Sequence, residues 1–456
     1  MDAMQIYYHM PIWAQNAATT FKGYQYKKKR YGDVYRQALQ EYSMRDYSDP
    51  ISLENYQWER TADLIRFAVA NSRFYRDFYK GIDLEEVIKA RDLTRLPVLE
   101  KELVREHIEE MYALPLEKAQ IVNTSGSTGK SMRFVVGNED LERRMAYLDA
   151  FKMSHGYIPG KMKRASFSSA KIVSPTQKRH VYWRDNFAIR QRIYSGYHCK
   201  GNRVRYYVDN LNRFRPQSLD GYPSAMYEIA KYINDNGIEL SFKPIAIFPT
   251  AETLLPHYRS EIEKAFKCPV RDQYASSEGA PFIIECTCGK LHVAQDTGIV
   301  EFMEDGRMLV TCFETHGTPL IRYDIGDKAF LAADQSCKCG MAMPVVERIE
   351  GRTTDYILSP KYGKITSVYL SLVSGEFLNC MKAMQFVQND LYSIDVYIET
   401  DERYNPEMDQ IIIDKLHYSM GSEVEVRVHR VEEIERDPSG KFKFIKNNIY
   451  LSENSI

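Results

Sequence analysis

The stretch Asn123-Thr124-Ser125-Gly126-Ser127-Thr128-Gly129-Lys130-Ser131 constrains this chain more than any other, gathering hydroxyls, glycines and a lysine into one short segment. Glycine admits φ > 0 and close backbone approach to a ligand, while Ser and Thr hydroxyls and free amides supply donors. Successive N–H groups in such a turn form a concavity suited to phosphate oxygens. Taken alone, the segment is equally an ordinary Ser/Gly surface loop. It is not a Walker A loop, because only Ser127 and Thr128 separate Gly126 from Gly129 where that motif needs four residues. Met132-Arg133-Phe134-Val135-Val136 reads as a strand, so the setting is strand–loop–strand rather than strand–loop–helix.

Other segments read by their periodicity. Leu64, Ile65, Phe67, Ala68, Phe74 and Phe78 recur at helical spacing and predict an amphipathic helix within 53–80. Arg95-Leu96-Pro97-Val98-Leu99-Glu100-Lys101 is extended at its proline and then turns helical. Gly221-Tyr222-Pro223-Ser224 predicts a turn leading into a helix over Ala225 to Ile233. Pro244-Ile245-Ala246-Ile247-Phe248 is a continuous apolar run, as in a buried strand, ending in Pro249-Thr250-Ala251-Glu252. Gly298 to Phe313 reads as a hairpin turning at Glu304-Asp305-Gly306.

The last hundred residues carry a different pattern. Phe386-Val387 and Ile394 to Ile398 predict strands, Asn405-Pro406 a helix start and Gly421 its stop. Val424, Val426 and Val428 alternate with charged residues, as in a half-buried strand. The expectation is a small α+β unit, with a boundary near Arg352 to Tyr356.

At 456 residues the chain is long for one core, so two or more domains are expected. Lys+Arg at 61 nearly balance Asp+Glu at 62, which gives no large field to draw nucleic acid. The run Lys27-Lys28-Lys29-Arg30 reads as a solvated face. No apolar stretch approaches the ~20 residues needed to span a bilayer. The segment from Met1 to Lys27 lacks a signal peptide's basic start and apolar centre, so a cytoplasmic location is expected.

The cysteines agree with a reducing compartment, because four of the eight form two C-x-C pairs. Cys286-Thr287-Cys288-Gly289-Lys290-Leu291-His292 and Cys337-Lys338-Cys339-Gly340 offer five thiol or imidazole groups. Four such ligands in a closed tetrahedron are what structural Zn²⁺ uses. Cys199, Cys268, Cys312 and Cys380 read as buried small hydrophobes.

Four more segments complete a pattern: Gln273-Tyr274-Ala275-Ser276-Ser277-Glu278-Gly279, Ile321-Arg322-Tyr323-Asp324-Ile325-Gly326-Asp327, Glu350-Gly351-Arg352-Thr353-Thr354-Asp355 and Arg436-Asp437-Pro438-Ser439-Gly440-Lys441. With the Gly-rich loop, in this order, they resemble the adenylate-forming acyl-ligase superfamily, which includes acyl-CoA synthetases, adenylation domains and luciferase. The closer resemblance is to the branch of phenylacetate-CoA ligases and capsular-polysaccharide-biosynthesis ligases. It covers residue 53 to Lys441. The fold it implies is α/β: a large N-terminal adenylating domain of sheets and helices over 1–352, with inserted zinc loops, and a small, mobile C-terminal α+β domain over 353–456 beyond a hinge.

The implied activity is ATP-dependent formation of an acyl-adenylate and then, with coenzyme A, a thioester of a small organic acid; the alternative passes the acyl group to an amine, sugar or carrier. By this resemblance Ser125, Gly126, Ser127, Thr128, Gly129 and Lys130 hold the β- and γ-phosphates. Tyr274 stacks on adenine, Ser277 bonds the α-phosphate, Glu278 holds Mg²⁺, Asp327 accepts the ribose hydroxyls and Arg352 lies nearby. Lys441 is the catalytic lysine. Capsule-type members share a Cys, a His six residues on and a C-x-C pair. That selects Cys286, His292, Cys337 and Cys339 for zinc, with Cys288 the competitor. The family pivot is commonly Asp or Lys, whereas this chain has Thr354.

Overall fold

The computed structural model describes residues 3–449 apart from 124–131, 169, 171, 175–176, 178, 200, 253, 255, 352–355, 367–369, 371–372, 374–379, 401 and 435–443. Two compact units emerge: Met1–Val122, Phe134–Ile325 and Ala329–Ile349 form the first, and Asn123–Arg133, Gly326–Lys328 and Glu350–Ile456 the second.

The first unit begins with helices. Where periodicity predicts one helix within 53–80, the chain makes two, Pro50–Asn71 and Arg73–Phe78. Ser72 explains the break: its backbone N–H closes the first helix on Ala68, and its hydroxyl accepts from the Tyr75 amide to start the second. Asp49 caps the long helix by accepting from the Ile51 and Ser52 amides, with Pro50 in the first turn.

A five-stranded sheet runs Trp183–Asn186, Gln191–Ser195, Arg164–Ser168, Ser218–Gly221, Ala246–Pro249 in spatial order. The last four strands are parallel and Trp183–Asn186 is the antiparallel edge. Parallel strands are covered on both faces and so read as unbroken apolar runs. This is why the run ending at Phe248 was legible. Phe167, Tyr194, Leu219 and Ile247 make its core.

The second sheet of this unit has seven strands, in the order Gly298–Phe302, Arg307–Cys312, Tyr323–Leu331, Val345–Gly351, Leu291–Val293, Ile283–Glu285, Gln273–Tyr274. Its first two strands are the expected hairpin, closed by the Gly306 amide on the Met303 carbonyl with Gly306 at φ 84°. Ala119–Asn123 and Arg133–Gly137 pair in a small sheet of their own and flank the Gly-rich loop, which lies outside the described residues.

The second unit has a four-stranded sheet, Glu425–Val431, Ser393–Thr400, Met381–Asp390, Ile445–Asn447. The helix Glu407–Met420 buries Ile412, Leu416 and Met420, and Gly421 follows it at φ 105°. The expected two strands, helix and strand are present. A fourth strand, Ile445–Asn447, adds parallel to Phe386–Gln388, and its three residues are too few for a period to register. Among the described residues no helix is long and apolar enough to cross a membrane.

One junction in the five-stranded sheet shows how tightly its carboxyl edge is specified. Gly221 has φ 117°, and a Cβ there would sit 1.9 Å from the Phe167 carbonyl oxygen, so no other residue fits. The helix Pro223–Asp235 starts directly after it, and Glu252 accepts from both the amide and the hydroxyl of Ser224 at 3.0 Å. A helix N-terminus favours the carboxylate, yet burial outweighs this and pushes Glu252 up to about 7. The folded state therefore holds a proton that the unfolded state releases between the ordinary value of 4.5 and about 7. Stability from this group is full below that window and is lost as pH rises through it. Glu252→Gln, which mimics the protonated acid, is expected to match the parent near pH 4 and to exceed it by about 1–3 kcal/mol near pH 8 in denaturant titrations. Equal pH slopes for the two proteins would reject this.

Candidate functional site

Glu278 is presented on a turn built entirely within the first unit. The strand Gln273–Tyr274 pairs with Ile283–Glu285, and the chain between them folds over on itself. The Gly279 amide bonds the Ser276 carbonyl at 3.3 Å, and the Ala280 amide bonds Ser276 Oγ at 3.0 Å. Gly279 has φ 102°, and a Cβ on it would meet Thr315 Cγ2 at 2.7 Å. Glycine is therefore obligatory at the residue after Glu278. The Glu278 side chain is buried, with Lys101 Nζ 4.0 Å from Oε1, whereas Ser277 is exposed.

Arg144 holds this turn from behind. It lies on the helix Asn138–Ser154, which follows directly on the strand leaving the Gly-rich loop. Its Nη1 donates to the carbonyls of Gly279 at 2.7 Å and Ala280 at 3.1 Å, and the guanidinium lies 4.5 Å from the Phe282 ring centre. Burial lowers its pKa, so its charge is kept at a cost that the carbonyls and the nearby Glu314 offset.

The same helix fixes the neighbouring segment. Asp140 accepts from the His316 ring at 2.6 Å and the His316 amide at 2.9 Å, and the Thr318 hydroxyl bridges the Val135 amide and carbonyl. Glu314 is fully buried, with Arg60 at 3.3 Å and Arg143 at 3.4 Å, and burial raises its pKa. The exit strand of the Gly-rich loop and the Glu278 turn are thus braced by one helix and one polar segment. Sequence reading missed Lys101, Asp140, Arg144 and Glu314. Their sole trace is a set of charged residues among apolar neighbours, which a solvated surface shows equally.

Of the other nucleotide-site residues expected, Asp327 sits half-buried on the strand Tyr323–Leu331. Just before it Arg322 takes φ 53° and ties its guanidinium to Glu301 and to the carbonyls of Thr94 and Leu96. Ser125, Gly126, Ser127, Thr128, Gly129, Lys130, Arg352 and Lys441 lie outside the described residues, as does Thr354.

The cysteine pairs form a second constellation in the same unit. Each is a tight turn: the Gly289 amide bonds the Cys286 carbonyl and the Gly340 amide bonds the Cys337 carbonyl, with both glycines at φ near 80° (83° and 82°). Lys290 bridges the two turns through Asp334 at 3.1 Å and the Ser336 carbonyl at 2.7 Å. His292 stands on the middle strand between Ile284 and Val345, fully buried, and its Nδ1 meets the Met343 carbonyl at 3.0 Å. That bond leaves Nε2 as the ligand atom.

Cys286, His292, Cys337 and Cys339 bring their ligand atoms within 4.8 Å of one another, whereas Cys288 is exposed and outside the group. Cys286 Sγ lies 3.7 Å from Cys337 Sγ, and Cys339 Sγ 3.5 Å from His292 Nε2. Bonds of about 2.3 Å to a tetrahedral ion give sulfur–sulfur edges of about 3.8 Å. Three thiols and one imidazole at this spacing fit zinc. The other four cysteines are buried, and burial raises the Cys199, Cys268 and Cys312 thiols.

The chain was compared with known proteins. A family profile described as the CapK C-terminal domain matches residues 357–448. Protein CapK of Staphylococcus aureus is 39% identical over 455 residues, spanning 97% of this chain and 99% of that protein. Among solved structures, 2-hydroxyisobutyryl-CoA ligase in complex with 2-HIB-AMP and CoA superposes with a TM-score of 0.59, at 16% identity over 89% of this chain and 92% of the ligase. The same ligase in its postadenylation state gives 0.55, at 16% identity over 88% and 90%. That likeness establishes a fold: a large N-terminal α/β domain with a smaller C-terminal domain, as in adenylate-forming ligases. The chain belongs to the CapK family, and it shares its fold with an adenylate-forming ligase.

Proposed function

We propose that the protein is an ATP-dependent carboxylate-activating ligase that makes an acyl-adenylate and then a CoA thioester. The observation that carries this reading is the fold shared along nearly the whole chain with a ligase solved with 2-HIB-AMP and CoA. In the first half-reaction a carboxylate oxygen attacks the α-phosphorus of ATP, the α–β anhydride bond breaks and pyrophosphate leaves. In the second a thiol sulfur attacks the acyl carbon and AMP leaves. Both steps need positioning and stabilisation of developing negative charge more than covalent help from the protein.

The residues divide these tasks. Ser125 to Lys130 hold the departing phosphates, Tyr274 stacks on adenine, and Asp327 accepts from the ribose with Arg352 nearby. Ser277 bonds the α-phosphate, and its exposure leaves its hydroxyl open to a ligand. Glu278 is one carboxylate for Mg²⁺, whose remaining positions phosphates and waters fill. The turn that Arg144 braces fixes that carboxylate. Lys441 neutralises charge as the carboxylate meets phosphorus. Cys286, His292, Cys337 and Cys339 hold a structural zinc, and a site with four protein ligands leaves no place for substrate. The N-terminal domain runs to residue 352 and the C-terminal domain begins at residue 353. A second reading, transfer to an amine, sugar or carrier, is favoured by Thr354 at the pivot position where the resemblance expects Asp or Lys.

Pyrophosphate exchange screened over a panel of carboxylic acids, with and without CoA, tests the reading. Exchange with at least one acid and thioester with CoA are expected. Exchange without thioester selects the second reading, and no exchange with any acid rejects adenylation. Lys441→Ala is expected to abolish exchange while ATP still binds by calorimetry; undiminished exchange removes Lys441 from the mechanism. Protein purified without chelator is expected to carry about one zinc per chain, lost in Cys337→Ser and His292→Ala and kept in Cys288→Ser. Metal-free protein, or loss in Cys288→Ser alone, overturns that ligand set.

A further inference from the structure

The helix Ile12–Arg30 is inside out. An ordinary surface helix buries its apolar stripe and shows a polar one to water. Here the buried residues are Gln15, Thr19 and Gly23. Gln15 accepts from the Nε of fully buried Arg184 at 2.6 Å, Asn16 accepts from the Asp185 amide at 3.1 Å, and Thr20 Oγ1 donates to the Asp185 carbonyl at 3.3 Å. Gly23 lies so close to Asn186 that a Cβ would meet its side-chain oxygen at 2.1 Å. Polar bonds and a backbone contact therefore dock the helix on the edge strand Trp183–Asn186.

The outward face carries Trp13, Ala17, Phe21, Tyr24 and Lys28. At about 100° per residue these positions fall within roughly 80° of arc. Trp13 is 74% exposed, Phe21 65% and Tyr24 58%. Phe187, on the segment that receives the helix, is 69% exposed, and its amide bonds Thr20 Oγ1 at 3.2 Å. Scattered exposed apolar residues need no explanation, but a line of aromatic side chains on one helix face does.

The charge around this face is of one sign. Residues 3–32 contain Lys22, Lys27, Lys28, Lys29 and Arg30 and no Asp or Glu, in a chain whose formal net charge is −1. Lys28 falls inside the aromatic arc and Lys29 and Lys22 flank it, whereas Arg30 lies against the Tyr26 ring on the far side of the helix and Lys27 Nζ bonds the Ala188 carbonyl. Trp, Tyr and Phe favour the headgroup level of a bilayer, and clustered Lys and Arg favour anionic lipid. A symmetric dimer through the same face would set this cationic cluster against its own copy.

We propose that the outward face of the helix Ile12–Arg30 is a docking surface for anionic membrane: Trp13, Phe21 and Tyr24 enter the headgroup layer, and Lys28 on that face, with Lys22 and Lys29 reaching from its flank, engages lipid phosphates. The docking is peripheral, in keeping with the lack of a spanning helix among the described residues.

Co-sedimentation of the full chain with vesicles tests it, comparing phosphatidylcholine alone with mixtures containing phosphatidylglycerol. Binding to the anionic vesicles is expected, weakening as salt rises. It should fall about tenfold or more both in Trp13→Ser/Phe21→Ser/Tyr24→Ser and in Lys22→Gln/Lys28→Gln/Lys29→Gln. All six residues are exposed, so circular dichroism and melting should match the parent. Gly23→Ala gives a control from the inner face, lowering melting temperature while the lipid-facing side chains stay intact. Absence of binding to anionic vesicles, or equal binding by the aromatic-stripped protein, overturns the proposal. So does a dimer in light scattering that the aromatic substitutions dissolve while lipid binding is nil. None of these readouts involves adenylation, so failure here and failure of the ligase reading are separate results.

Discussion

A buried guanidinium anchors the most chemically loaded turn of this protein. Arg144 spends its donors on main-chain carbonyls, so it fixes backbone rather than a side chain, and the backbone it fixes bears Glu278. Its own position comes from the helix Asn138–Ser154, whose first turn locks onto the 316–318 segment through Asp140. Packing then leaves the turn no freedom, because Thr315 fills the space that any side chain at Gly279 would need. In the proposed role of Glu278 as a Mg²⁺ ligand such support matters, since a displacement of about 1 Å can cost two orders of magnitude in rate.

The cysteine turns apply the same economy to a different end. Two copies of one local device, Cys-x-Cys-Gly with the glycine amide closing on the first cysteine's carbonyl, bring thiols together from segments some fifty residues apart. Between them the strand Leu291–Val293 delivers His292 with one ring nitrogen already committed to Met343. Cys288 is exposed and lies outside the group, whereas the second pair contributes both its cysteines.

What the sequence revealed follows from what local chemistry encodes. The parallel strand ending at Pro249, the hairpin after Gly298 and the helix before Gly421 were all legible, because apolar runs, Asp-Gly turns and stop glycines act over a few residues. The roles expected of Tyr274 and Glu278 rest on resemblance to a family pattern and remain part of the proposal, while the turn that carries them depends on distant partners. Arg144 and Glu314 were not legible: their meaning depends on partners 136 and 171 residues away, and nothing local marks a charge that will be buried. The helix Ile12–Arg30 escaped for the opposite reason. Its apolar residues do recur at helical spacing, but they sit on the outer face, so the stripe that usually announces a core contact announces something else.

That inverted helix also governs how the chain can be cut. Arg184 lies fully buried with its Nε satisfied by Gln15, and the edge strand beside it takes further bonds from Asn16 and Thr20. A version trimmed to begin after residue 32 would expose a sheet edge and leave a cation in a partly apolar bed without its acceptor, at a cost of about 1–3 kcal/mol for that bond alone. The segment is thus a cover sheet as much as an appendage. An expression strategy that removes it to gain tractability would be removing part of the fold's wall.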